Sequence, residues 1–388
     1  MKWSWKIGTV SGIGIYLHGT FLILLAYFGI DSLARGGRLI DALGVMLLLL
    51  VLFSIVVLHE LGHAFAARHY GIQTQDITLL PIGGVARLER IPEEPKKELV
   101  IALAGPAVNV VLAVLCVLGM LLIAGTAFVF GAVQGGHRQL VLHLFSVPPV
   151  RSVSDLPSIV PYVLFQMLIV NVMMVLFNLL PAFPMDGGRV LRALLAMRLN
   201  YVNATQVAAR IGQSMAVLFG LAALYFHHPM LAFIALFVWI GAQAEATQVE
   251  TRAVMGGVTA GDAMVTRFRT VTPDNTLQEV SDHIIRGFQQ DFPVVTDGQV
   301  VGMLTRGDLL KSLVQGGQEQ RVADVMHRTF ERAEASEQLG RVFERLQNCA
   351  CHSLPVLRQG QLVGVIDMEN VGEFIALRSA LRNRGEDA

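Results

Sequence analysis

Apolar residues come in long runs up to about residue 244 of this chain, and from Val258 onward they give way to the mixed pattern of a globular domain. A helix needs about 20 predominantly apolar residues to cross a bilayer. Candidate runs fall at about 13–30, 41–70, 98–125, 158–180, 204–226 and 229–246, which predicts about six transmembrane helices. After the second run, Asp76 to Glu89 sets β-branched and apolar residues on either side of Pro81 and Gly83-Gly84, the pattern of a short β-hairpin. The expected fold is a polytopic α-helical membrane protein followed by an α/β module. Its parts are a membrane domain over 1–246, a linker over 247–257, two repeated units over 258–316 and 317–379, and a disordered tail over 380–388.

Composition agrees with this division. Of 388 residues, 53% are hydrophobic and 15% charged, too apolar for an ordinary soluble protein of this length. A formal net charge of +0 argues against a nucleic-acid partner. Cys116, Cys349 and Cys351 are too few for a disulfide framework or a four-thiolate metal site. Lys2 and Lys6 precede the first run without a small-residue cleavage site after it, so an uncleaved first span is expected.

With both termini cytoplasmic, the inner segments hold Lys2, Lys6, Arg87, Arg90, Lys96, Lys97, Arg189, Arg192 and Arg198, and the outer ones Arg35, Arg38, Arg138 and Arg151. This cationic excess inside sets the orientation. It puts the polar half of the chain in the cytoplasm of a cell-membrane protein.

The second run carries the chemistry. His59-Glu60-Leu61-Gly62-His63 follows a charge-free stretch from Ala42 to Leu58. Residues four apart share a helical face, so His59 and His63 can both reach one metal ion. Glu60 stands beside them as a candidate base for an attacking water. Ionisable groups at membrane depth are costly and are retained for function. About 11 residues from His59 to Tyr70, at 1.5 Å each, put His59 roughly 16 Å below the cytoplasmic surface.

A catalytic zinc site usually takes three protein ligands. Asp186 is the candidate third, in the segment from Asn178 to Gly188, where Pro181, Pro184 and two glycines break the helix. Irregular backbone at membrane depth is tolerated only against protein or a water-filled cavity.

Together with Gly105-Pro106-Ala-Val-Asn109, the HExxH pattern and the later Asn178-to-Gly187 segment make the membrane half resemble the site-2 protease family of intramembrane zinc metalloproteases. The resemblance implies that His59, His63 and Asp186 bind one zinc ion and that Glu60 is the general base. It implies that Asn178 hydrogen-bonds the substrate backbone or the developing oxyanion. Gly105, Pro106 and Asn109 are expected to set close helix packing, with Asn109 a further candidate near the substrate. A membrane-spanning or membrane-associated protein is the implied substrate, in regulated proteolysis. The Asp76–Glu89 hairpin is expected to offer an edge on which an unwound substrate adds as a strand.

Beyond Val258 the sequence repeats. Asp262, Met264, Pro293, Gly302 and Asp308 recur at a constant offset of 62 as Asp324, Met326, Pro355, Gly364 and Asn370. These units resemble a tandem pair of cystathionine β-synthase (CBS) domains, which implies an adenine-nucleotide site for ATP, ADP or AMP and a homodimer formed through the pair. Thr305 and Asp308 match the family's Thr/Ser-x-x-Asp pattern for ribose or phosphate. Their counterparts Asp367 and Asn370 depart from it, since Asp367 would face phosphate unfavourably. Two other functions compete with proteolysis: a channel or carrier with a buried His/Asp ion path, and a nucleotide sensor that binds a partner without cleaving it. Neither explains Glu60 next to His59.

Overall fold

The structure, a computed structural model, describes residues 3–81, 83–89, 92–134, 156–285, 289–349 and 353–386. Lys2, Arg90, Arg138, Arg151 and Cys351 lie outside them. The chain forms two compact units, Met1–Ala246 and Thr247–Ala388.

In the first unit, β1 (Ser4–Val10) and β2 (Ile13–His18) form a hairpin whose two turn residues, Ser11 and Gly12, both have positive φ, as the tightest hairpins require. Then come α1 (Gly19–Ala34), α2 (Leu39–His69), β3 (Thr74–Leu80), β4 (Gly83–Leu88), α3 (Pro95–Gln134), α4 (Leu156–Asn178), α5 (Asp186–Ala196), α6 (Tyr201–Tyr225) and α7 (Pro229–Met255). Among the described residues, five helices are long and apolar enough to cross a membrane: α2, α3 (over Pro95–Ile123), α4 (over Val160–Asn178), α6 and α7.

The expected first span is divided. Residues 13–18 pair as β2, and only the 16 residues of α1 are helical. A short apolar run rich in β-branched residues fits a strand as well as a helix, and here β3 provides a parallel partner. His18 ends the strand and caps α1, accepting from the Thr20 amide. The hairpin expected after the second span is β3–β4, and the whole sheet runs β1-β2-β3-β4. It lies back along α2, with Ile13 and Ile77 packed against Leu61 and Ala64.

The second unit contains α8 (Ala260–Ala263), α9 (Leu277–Ile285), β5 (Phe292–Thr296), β6 (Gln299–Leu304), α10 (Arg306–Val314), α11 (Val322–Val325), β7 (Ala333–Glu334), α12 (Leu339–Asn348), β8 (Ser353–Arg358), β9 (Gln361–Asp367) and α13 (Met368–Glu386). The repeated residues meet reciprocally. A Cβ on Gly364 would lie 2.5 Å from the Met264 sulfur, and one on Gly302 would lie 2.7 Å from that of Met326. Asp291 and Ser353, also 62 apart, hydrogen-bond to each other at 2.8 Å. The two copies are therefore related by an approximate twofold, each completing the packing of the other. Helix α13 runs on to Glu386, and Leu381 lies on its exposed surface.

Candidate metal centre

His59 and His63 sit one turn apart on α2, and Asp186 opens α5. All three are buried, and one ligand atom from each falls within 4.8 Å of the others. The two Nε2 atoms are 3.1 Å apart, and the Asp186 Oδ2 lies 3.2 Å from His59 Nε2 and 3.1 Å from His63 Nε2.

The outer nitrogens decide what these atoms can bind. His59 Nδ1 meets Asn109 Oδ1 at 2.5 Å, and His63 Nδ1 meets the Ile101 carbonyl at 2.7 Å. A carbonyl oxygen only accepts, so the Nδ1 facing Ile101 is the protonated nitrogen, and the amide oxygen of Asn109 asks the same of His59. Both Nε2 atoms then present lone pairs toward each other and toward a carboxylate. Three acceptors at that spacing need a cation between them. Two imidazoles and one carboxylate form a donor set that suits zinc and leaves a fourth position open, so the residues fit the metal.

The orienting residues reach beyond the sequence motif. Asn109, on α3, is fully buried and donates through Nδ2 to Asn171 Oδ1 at 2.9 Å, while Asn171, on α4, donates to the Met167 carbonyl at 2.8 Å. The Asn109 carboxamide is thereby spent on His59 and Asn171. This places it behind His59, where it fixes tautomer and ring orientation. Asn171 was missed, although an amide within an apolar run is a signal that could have found it.

Glycines admit the close approach of these elements. A Cβ on Gly105 would fall 2.2 Å from His63 Nε2 and 2.8 Å from His59 Cε1, and one on Gly84 would fall 2.6 Å from Glu60 Cγ. Strand β4 thus stands directly against Glu60. The Glu60 carboxylate is half-buried, and among the described residues it accepts no hydrogen bond. Asn178 closes α4 and is half-buried, and its carboxamide likewise has no hydrogen-bond partner among the described residues.

Arg192, counted above with the cations of the inner segments, is fully buried. Its Nε and Nη2 donate to Glu98 Oε1 at 2.8 and 2.5 Å, and its Nη1 donates to Glu245 Oε1 at 2.6 Å. The guanidinium carbon lies 5.0 Å from the ring centroids of both Phe183 and Tyr201.

In the second unit, Thr305 caps α10. Its hydroxyl contacts the Asp308 carboxylate and accepts from the Asp308 amide at 3.2 Å. His327 Nε2 meets the same carboxylate at 2.7 Å. Burial by itself raises the Asp308 carboxyl, but the Thr305 hydroxyl and His327 outweigh it and hold the group below the usual carboxylate range. In the other copy, Asp367 Oδ1 accepts from the Asn370 amide at 2.8 Å, an N-cap with no hydroxyl. His327 was missed because its counterpart 62 residues earlier is Val265, so the repeat does not mark it.

The profile of peptidase family M50 matches residues 47–219, and the CBS-domain profile matches residues 260–315 and 322–376. Zinc metalloprotease MJ0392 of Methanocaldococcus jannaschii is 31% identical over 371 residues, covering 96% of each chain. The Mycobacterium tuberculosis protein Rip3 is 29% identical over 401 residues, 97% of this chain and 93% of its own length. The solved structure of a site-2 protease from Methanocaldococcus jannaschii is 33% identical, covering 63% of this chain and 95% of that one, with a TM-score of 0.41. The chain therefore belongs to peptidase family M50, as a membrane zinc metalloprotease of the site-2 protease type that carries a tandem pair of CBS domains.

Proposed function

We propose that this metalloprotease cleaves peptide bonds of transmembrane or membrane-associated proteins near the cytoplasmic face of the cell membrane. The carrying observation is the convergence of two imidazole lone pairs and a carboxylate beside the unpartnered carboxylate of Glu60. Zinc held by His59, His63 and Asp186 supplies the Lewis acidity that water-driven peptide hydrolysis requires. Glu60 takes a proton from the attacking water on a carboxylate oxygen and returns it to the leaving nitrogen. Asn178 keeps its amide donors for the substrate carbonyl, where charge develops during attack.

Substrate presentation falls to β4. This strand pairs only with β3 among the described residues, and Gly84 brings it against Glu60. Peptide bonds in a helix are already hydrogen-bonded, and an open edge replaces those bonds as the substrate unwinds. The cationic excess at Arg87, Lys96, Lys97, Arg189 and Arg198 supports an inward-facing site.

The test compares wild type with Glu60→Gln on single-span substrates, with zinc content measured in parallel. Glu60→Gln should keep its zinc and lose cleavage by about a hundredfold or more, the lower range for a general acid–base group. Equal cleavage by both forms would sink the proposed roles.

The second unit supports control by adenine nucleotide at one copy. Thr305 and Asp308 offer a hydroxyl and a carboxylate at a helix start, whereas Asp367 places a carboxylate where the hydroxyl would be. In calorimetric titration of the full chain with ATP, ADP and AMP, Asp308→Ala should weaken binding by about tenfold, the value of a charged hydrogen bond. Asp367→Ala should leave it unchanged. Binding that ignores Asp308 would remove this reading.

A further inference from the structure

A second built feature lies at the far end of α2 from its N-cap. A cavity of about 370 Å³ is lined by Ser11 and Gly12 of the β1–β2 turn, by Ile13, Ala64 and Arg68, and by the segment from Gly71 to Thr74. Arg68 Nη1 donates to the Ser11 carbonyl at 2.9 Å, which engages one of five N–H donors and leaves the rest of the fork open. The Thr74 hydroxyl oxygen is buried and has no hydrogen-bond partner among the described residues. Leaving such a group unpaired costs about 1–3 kcal/mol, so a ligand that supplies the missing bond is favoured. Among the described residues no acidic side chain lines the cavity.

Position in the membrane narrows the ligand. Arg68 lies in the last turn of a helix long and apolar enough to span the bilayer, which is headgroup level. From there the sheet descends along α2. Ile13 packs at Leu61 and Ala64, β2 runs in parallel register with β3, and Gly84, paired with Leu79, reaches Glu60 and Val56. From Arg68 to Glu60 is about 12 Å of helix rise. Over that descent the outer strand β1 and the residue before it expose Ile7, Trp5 and Trp3 at 58%, 54% and 70%. An anionic group thus finds a guanidinium and a free hydroxyl, and an apolar chain attached to it finds Ile7, Trp5 and Trp3 below, with Lys6 exposed between them.

We propose that this corner is a binding site for an anionic glycerophospholipid, with its phosphate between Arg68 and Thr74 and its acyl chain along β1. The absence of a lining carboxylate disfavours lipids whose head carries an ammonium group. The bound lipid ties the β1–β2 turn to the end of the helix that carries His59, Glu60 and His63.

Native mass spectrometry of the full-length, zinc-loaded protein, incubated with equal amounts of phosphatidylglycerol and phosphatidylcholine, tests the assignment. Wild type should retain phosphatidylglycerol in preference by about tenfold, within the range of a charge-assisted contact. Arg68→Gln should erase that preference, and Thr74→Val should reduce retention with Arg68 intact. Trp5→Ser should weaken retention of both lipids without changing their ratio. Arg68→Gln and Thr74→Val proteins with normal zinc and normal phosphatidylglycerol retention would overturn the proposal. Arg68-dependent binding of inorganic phosphate with no retained lipid would equally overturn it, since the site would then belong to the free anion.

Discussion

Gly105→Ala is expected to remove the metal and the activity together. The α-carbon of Gly105 faces the imidazole pair, and an added methyl would sit 2.2 Å from His63 Nε2 and 2.6 Å from its Cε1. Neither ring can retreat easily. His63 is tied through Nδ1 to the Ile101 carbonyl and His59 through Nδ1 to Asn109, both on the helix that carries Gly105. Forcing a methyl into packed surroundings costs about 1–3 kcal/mol, and a displacement near 1 Å at a reacting centre costs about a hundredfold in rate. Zinc measured by elemental analysis should fall from one per chain toward none, with cleavage lost by at least about that factor. A variant with full zinc and normal turnover would show that the two helices separate freely, contrary to this geometry.

Arg192→Leu should have the largest effect on stability. The guanidinium is enclosed by Phe183 and Tyr201 and pairs with one carboxylate oxygen from each of two other helices, Glu98 on α3 and Glu245 on α7. Removing it leaves the buried Glu98 carboxylate and the partly buried one of Glu245 without their cation, and breaking a buried pair in this way costs about 3–5 kcal/mol. The unfolding midpoint in detergent should drop sharply, with partial recovery on adding Glu98→Gln, which lightens the uncompensated charge. An unchanged midpoint would mean that water reaches the cluster.

The sequence makes the candidate metal ligands visible because the requirement is local. Four-residue spacing on a helix brings His59 and His63 together, and the broken backbone around Asp186 is conspicuous inside an apolar stretch. The orienting groups were hidden because they are assembled over long separations: Asn171 reaches the site only through Asn109, and Ile101 contributes a carbonyl that any residue would carry. Arg192 looked like a loop cation because charge in a sequence says nothing of its partners, and Glu98 lies 94 positions away. The first apolar run was ambiguous for a different reason, since strand β2 pairs locally with β1 but takes its second partner, β3, from beyond the whole of α2. The repeat was legible because it is written twice at one offset, whereas the contact of His327 with Asp308 exists in a single copy.

The exchanged contacts of Met264 with Gly364 and Met326 with Gly302 have an evolutionary corollary. Each half of the duplication holds a piece of its sibling, so neither can be lost or freely altered at those points. Residues that make no exchange are released from that bond. The hydroxyl of Thr305 stands where its sibling has Asp367, whereas His327 and Val265 exchange backbone hydrogen bonds reciprocally with Met303 and Val365 and differ only in their side chains. Mutual dependence in the interior leaves the helix starts at Thr305 and Asp367 at liberty to diverge.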